Sequence, residues 1–104
     1  MPTKGYIGIT YEFRREGRRW VGCCKELGTA TFGRSIPETS RKLNEAVLLH
    51  LNTLEDVGER ERFFQENSVE FHHTRSKFSV RIPTTMRRET FYSSHIQQVP
   101  AMVN

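Results

Sequence analysis

The chain has 104 residues, enough for one domain and too few for two of ordinary size. Hydrophobic residues make up 36% and aromatic ones 11%, a real but modest core that association would supplement. No stretch approaches the roughly 20 apolar residues of a membrane helix, and residues 1–5 are polar with no apolar run behind them, so neither a membrane span nor a secretory leader is expected.

The chain opens on a strand. Ile7, Ile9, Tyr11 and Phe13 alternate with Gly8, Thr10 and Glu12, which is period two. Glu16-Gly17 within residues 14–18 marks a hairpin turn. A second strand over residues 19–24 sets Trp20, Gly22 and Cys24 on one face and Val21 and Cys23 on the other. The adjacent cysteines therefore diverge, which predicts free thiols and fits a reducing, cytoplasmic setting. After a turn over residues 25–28, residues 29–33 read as a third strand, and three strands on short turns make an antiparallel meander.

The helix signal is the strongest in the chain. Ser35-Ile36-Pro37-Glu38 is a capping box, with Ser35 as N-cap and Glu38 at the third helical position. Pro37 is acceptable there because first-turn amides have no helical partner. Leu43, Ala46, Val47, His50, Leu51 and Leu54 then recur at three- and four-residue steps, one face turned to a sheet. Gly58 is the expected stop. A short second helix over residues 59–65 has Phe63 and Phe64 to bury, and Asn67 is the expected left-handed cap. Val69, Phe71 and His73 alternate in a fourth strand. Phe78, Val80 and Ile82 alternate up to Pro83, and residues 91–99 form another extended segment. The reading is α+β: a three-stranded antiparallel meander plus a fourth strand, one main helix packed on the sheet, and an extended β-like tail over residues 75–104.

Charge separates the tail from the rest. Residues 1–74 carry eleven Lys/Arg and eleven Asp/Glu, whereas residues 75–104 hold Arg75, Lys77, Arg81, Arg87 and Arg88 against Glu89 alone. The whole excess of +4 lies in the tail.

The candidate chemistry is sparse. A metal-dependent nuclease needs several converging carboxylates, but the first strand offers Glu12, the main helix Glu38 and Glu45, and no Asp precedes Asp56. His72 and His73 would face opposite ways on a strand, so they do not share an ion. His50 reads as a satisfied histidine at the boundary of the helix face. Neither Cys23 nor Cys24 has a local activating signature. No catalytic residue, metal site or cofactor is expected. The binding candidates are Arg14, Arg15, Arg18, Arg19 and Trp20 around the first turn, a surface for phosphate and stacking. Phe78, Val80, Ile82, Phe91 and Ile96 in the tail need a surface to pack on, which predicts an oligomerisation arm and a homodimer.

The ordered set Tyr11, Gly17, Trp20, Glu26-Leu27, Gly33, Ser35 and Glu45-Ala46 resembles the HicB-like antitoxin family. The downstream LEDVGERERFFQENSVEF is similar to that family's helix, Gly break, short helix and final strand, so the likeness runs over residues 6–72. It implies a truncated ribonuclease-H-like sheet under one main helix, with the fourth strand beside the first, as domain 1–74. It further implies a non-catalytic protein that binds and neutralises a small basic ribonuclease toxin. The residues after His73 carry no helix-turn-helix pattern, so the resemblance is to stand-alone members without a DNA-binding module. The alternative is a nucleic-acid binder that uses the basic hairpin or the tail.

Overall fold

A computed structural model describes residues 4–72 and 90–100, with Lys4 and Pro100 placed by backbone alone. The elements in order are β1 (Lys4–Glu16), β2 (Arg19–Cys24), β3 (Ala30–Gly33), α1 (Ile36–Asp56), α2 (Arg60–Glu66), β4 (Phe71–His72) and β5 (Thr90–Pro100). The fold is α+β, with a five-stranded, antiparallel-paired sheet and two helices.

β1 is the spine of the sheet. It pairs with β2 from Tyr11↔Cys24 to Glu16↔Arg19, with β4 at Tyr6↔His72 and Ile7↔Phe71, and with β5 from Lys4↔Pro100 to Arg14↔Thr90. A strand has two edges. Tyr6 and Ile7 pair with both β4 and β5, and residues 11–14 pair with both β2 and β5. β5 therefore holds one edge of β1, while β2 and β4 share the other, end to end. β3 pairs outside β2, from Trp20↔Gly33 to Cys23↔Ala30.

Where β2 leaves β1 and β4 has not begun, a side chain continues the ladder. The Thr10 N–H and hydroxyl donate to the two carboxylate oxygens of Glu26 at 2.7 and 3.0 Å, and the Lys25 N–H donates to the Thr10 carbonyl at 2.9 Å. The next outward amide on that edge, Gly8 N–H, reaches the Glu70 carbonyl at 3.2 Å.

Period two in β1 puts Ile7, Ile9, Tyr11 and Phe13 on the face that the helices cover, all buried. Leu43, Val47 and Leu51 of α1 meet that face, with Cys24, Leu27, Phe64, Val69 and Val99 closing the core, and Leu54 is also buried. α1 begins where Ser35, in extended conformation, accepts the Glu38 N–H at 3.2 Å. Its first turns lie close over β2 and β3. Thr39 is fully buried, with its hydroxyl donating to the Ser35 carbonyl at 2.7 Å. A Cβ on either Gly22 or Gly33 would fall 2.7 Å from its side chain, so only glycine admits the helix this closely.

Several expectations change in detail. The hairpin loop is Gly17-Arg18, with Gly17 at φ 63° in the left-handed region that a two-residue loop requires. Gly58 likewise stops α1 at φ 72°. The left-handed residue after α2 is Ser68, φ 54°, not Asn67, which sits at φ −104° because its side-chain amide bonds back to the Phe63 carbonyl. Among the described residues β4 covers Phe71–His72, and Val69, read as its start, is instead drawn into the core with its N–H capping α2 on the Phe64 carbonyl. The segment read as an extended tail includes a full strand of the sheet, β5. Phe78, Val80 and Ile82, and His73, lie outside the described residues. Among the described residues no helix is long and apolar enough to cross a membrane.

Candidate functional site: two charged ends and a polar cleft

The topology sorts most of the charge to opposite ends of the core, Lys4 at the start of β1 being an exception that lies at the far end from the hairpin. Residues 1–42 hold nine Lys/Arg and four Asp/Glu, a balance of +5. Residues 43–74 hold two Lys/Arg and seven Asp/Glu, a balance of −5. The hairpin tip, the end of β3 and the start of α1 meet at one end of the sheet, because Trp20 pairs with Gly33 and α1 starts three residues later. α1 then runs about 31 Å at 1.5 Å per residue, so its last turn, α2 and β4 gather at the other end, beside Tyr6 and Ile7 of β1. A zero sum over the first 74 residues thus conceals a bipolar body.

At the basic end the five sequence candidates separate by role. Arg14 is engaged, within 3.7 Å of Glu12 and 3.5 Å of Glu16. Arg15, Arg18 and Arg19 are exposed and have no carboxylate within ion-pair distance among the described residues. Trp20 is half-buried, its ring 5.7 Å from that of Phe91, which reaches across β1 from β5. Three contributors escaped the sequence reading. Arg34 and Arg41 are exposed at this end and form no ion pair within 4 Å among the described residues, although the Arg34 backbone N–H donates to Glu38 Oε2 at 3.4 Å. Phe32, 55% exposed on β3, lies under the Arg19 guanidinium at 5.0 Å and the Lys42 ammonium at 5.9 Å. Strand pairing brings them together, and spacing along the chain gives no hint of it.

The acidic end has Glu55, Asp56 and Glu61 exposed and outside every ion pair among the described residues. Arg62 holds Glu59 and Glu66 at 3.6 and 3.0 Å, and His72 meets Glu70 at 2.8 Å. Leu49, in the second half of α1, and Val57, at its C-cap, are 69% and 63% exposed. Arg60 is buried, with one terminal nitrogen lacking a hydrogen-bond partner among the described residues. His50 packs edge-on to Phe63 at 5.1 Å. The expectation that it is satisfied does not hold there, because its Nε2 is buried without a partner among the described residues.

Between α1 and β5 runs a cleft of about 520 Å³ lined by Tyr11, Asn44, Leu48, Ser94, His95, Ile96 and Gln97. The Tyr11 hydroxyl donates to Asn44 Oδ1 at 2.7 Å across its floor, and burial pushes the phenol up to about 12. The His95 ring lies 4.2 Å from the Tyr11 ring, and its Nε2 is 2.8 Å from the Ser93 hydroxyl. Burial lowers the His95 imidazole pKa, so the ring is neutral near pH 7. A hydroxyl–imidazole pair needs a group that orients the ring and donors for a developing oxyanion before it becomes an acyl-transfer site. No carboxylate bonds His95 among the described residues.

On the outer face of β1, Glu12 is opposed by two effects. Burial raises its carboxyl, but the Lys25 ammonium at 3.2 Å and the Tyr92 hydroxyl outweigh that and hold it below the usual range. Cys23 is half-buried on that face and Cys24 is buried on the helix face, where desolvation pushes its thiol up to about 11. No group of three or more His, Cys, Asp or Glu side chains capable of holding a metal occurs among the described residues. Compared with family models, with curated proteins and with solved structures, the chain matches none.

Proposed function

We propose that this chain is a non-catalytic binding module of the HicB-like antitoxin kind, a truncated ribonuclease-H-like sheet under one main helix that captures a small basic protein. The acidic end carries this reading. At this end Glu55, Asp56 and Glu61 are exposed and form no ion pair among the described residues, and Leu49 and Val57 on the same part of the chain are exposed apolar groups. A cationic ribonuclease toxin is complementary to such a patch, with the charge steering encounter and the apolar residues supplying contact. Titration calorimetry against a small basic protein encoded beside this one tests the reading. Wild type binds, and Glu55→Lys with Glu61→Lys weakens binding at least tenfold. Unchanged affinity in the charge-reversed variant refutes it.

A second reading rests on a different observation. Arg15, Arg18, Arg19, Arg34 and Arg41 form no ion pair among the described residues and share this end with exposed Phe32 and Phe91, a surface suited to single-stranded nucleic acid. Fluorescence anisotropy with a labelled oligonucleotide separates the two. This reading requires binding that weakens steeply with salt and is lost in Arg18→Glu with Arg19→Glu.

A further inference from the structure

We propose that the cleft between α1 and β5 binds a neutral nucleobase, laid flat between Leu48 and His95 and held at its edge by Asn44 and Gln97.

The cleft has the dimensions of a small-molecule site. Its volume of about 520 Å³ lies within the range of roughly 300–1,000 Å³ that such sites occupy. No Lys, Arg, Asp or Glu lines it, so it suits the uncharged part of a ligand. Its two walls differ in chemistry. From α1 comes Leu48, an apolar side chain that the core leaves 46% exposed. From β5 comes the half-buried His95 imidazole, covered by the Tyr11 ring at 4.2 Å. The Ser93 hydroxyl, 2.8 Å from Nε2, holds the ring in place, and burial keeps it uncharged. An aromatic face across from an aliphatic one selects a flat ligand. An aromatic side chain is also the usual platform for a base, since every base has a π-face to stack.

The hydrogen-bonding groups are already oriented. Asn44 Oδ1 accepts from the Tyr11 hydroxyl at 2.7 Å, which leaves Nδ2 with two N–H groups to donate. Gln97 lies two residues along β5 from His95 and on the same face. Its Nε2 donates to the Gln98 carbonyl at 3.1 Å, which leaves Oε1 to accept. Among the described residues neither the Asn44 N–H groups nor Gln97 Oε1 has a hydrogen-bond partner. A donor on one wall and an acceptor on the other match a ring that presents an acceptor beside an N–H. The pairing edges of the bases are built that way: a carbonyl beside a ring N–H in uracil and hypoxanthine, an amino group beside a ring nitrogen in adenine. The cleft is lined by none of the unpaired arginines and by none of the exposed carboxylates, so the assignment is independent of the proposed toxin and of the basic end.

Titration of the full-length chain with uridine, inosine and adenosine, followed by nuclear magnetic resonance, tests it. At least one nucleoside shifts the ring resonances of Tyr11 and His95. Its counterpart with a blocked donor (3-methyluridine, 1-methylinosine or dimethyladenosine) binds at least tenfold more weakly. Asn44→Asp keeps an acceptor for the Tyr11 hydroxyl and removes both N–H donors. Leu48→Asp sets a charge on the apolar wall at an exposed position. Each lowers affinity at least tenfold with an unchanged far-ultraviolet circular dichroism spectrum. Octauridylate separates the two sources of a base: an affinity gain over uridine that Asn44→Asp abolishes assigns a base within a strand, and equal affinity assigns the free nucleoside. Three results overturn the proposal: no shift with any of the three nucleosides, equal binding of the blocked counterparts, or binding that survives both Asn44→Asp and Leu48→Asp. Binding lost in Arg18→Glu with Arg19→Glu but kept in Asn44→Asp also overturns it, because the base then sits at the basic end.

Discussion

Replacing Gly22 with alanine tests how closely α1 is seated. The new Cβ would lie 2.7 Å from the Thr39 Cγ2 and 3.2 Å from the Phe13 ring, well inside the 3.5–4.0 Å at which carbon atoms rest. Thr39 cannot rotate its methyl aside without giving up the 2.7 Å bond from its hydroxyl to the Ser35 carbonyl. The start of α1 must therefore lift, at a cost of about 1–3 kcal/mol for overpacking. Thr39→Ser removes the clashing methyl and keeps the hydroxyl; alone it costs about 1 kcal/mol for a lost buried methyl. In the double variant the alanine methyl occupies the vacated space, so the cycle closes about 1–2 kcal/mol better than the sum of the singles. Gly33→Ala is the control. Its Cβ meets the Thr39 Oγ1 at 2.7 Å and the Thr39 backbone nitrogen at 3.1 Å, both of which serine retains, so Thr39→Ser does not rescue it. Urea denaturation followed by circular dichroism gives all the required values. Strict additivity at Gly22, or equal rescue at both glycines, refutes this account of the helix–sheet contact.

Ser35→Ala removes the cap bond to the Glu38 amide and lowers stability by about 1 kcal/mol in the same assay. Leu51→Ala, at a buried position of α1, costs about 1–4 kcal/mol through lost burial and the cavity left behind, and an unchanged melting temperature for Leu51→Asp would contradict its placement. The folded His95 pKa is depressed by burial, so the unfolded chain takes up that proton first. The stability associated with neutral His95 is complete above about 6.5 and falls as the pH drops toward the folded pKa; denaturation midpoints measured from pH 8 to 5 should show a smaller loss in His95→Gln. Alkylation of the native protein at pH 8 marks half-buried Cys23 before Cys24, whose thiol is pushed up to about 11, as peptide mass spectrometry would reveal.

The local elements were legible because each carries its own signal. The alternation Ile7, Ile9, Tyr11, Phe13 defines β1, and Ser35 with Glu38 fixes the start of α1, because hydrogen bonding and burial there depend on residues a few positions apart. Partners distant in sequence were not legible. Nothing in residues 90–100 says that they lie along β1 for eleven pairs, since alternation declares a strand but not its neighbour. Glu26 standing in for a strand beside Thr10 is likewise invisible, because a carboxylate in a turn ordinarily reads as solvated. Four arginines and Trp20 around the first turn were visible as a cluster. Arg34, Arg41 and Phe32 join them only once the meander folds. The acidic end stayed hidden for an arithmetic reason: counting residues 1–74 together cancels two opposite charges that the long helix keeps apart.

That cancellation governs how the molecule meets others. The whole chain keeps a net charge of +4, so at a distance it acts as a positive monopole, and the opposed ends of residues 1–74 add a dipole whose field changes sign with direction and decays faster. The field of an approaching ion of either sign exerts a torque on that dipole and turns the oppositely charged end toward the ion, so orientation is selected before any contact is made. Added salt shortens the range of that alignment to about 8 Å at physiological strength, less than the length of α1. Each end then acts almost alone, and events at the hairpin go largely unfelt at α2.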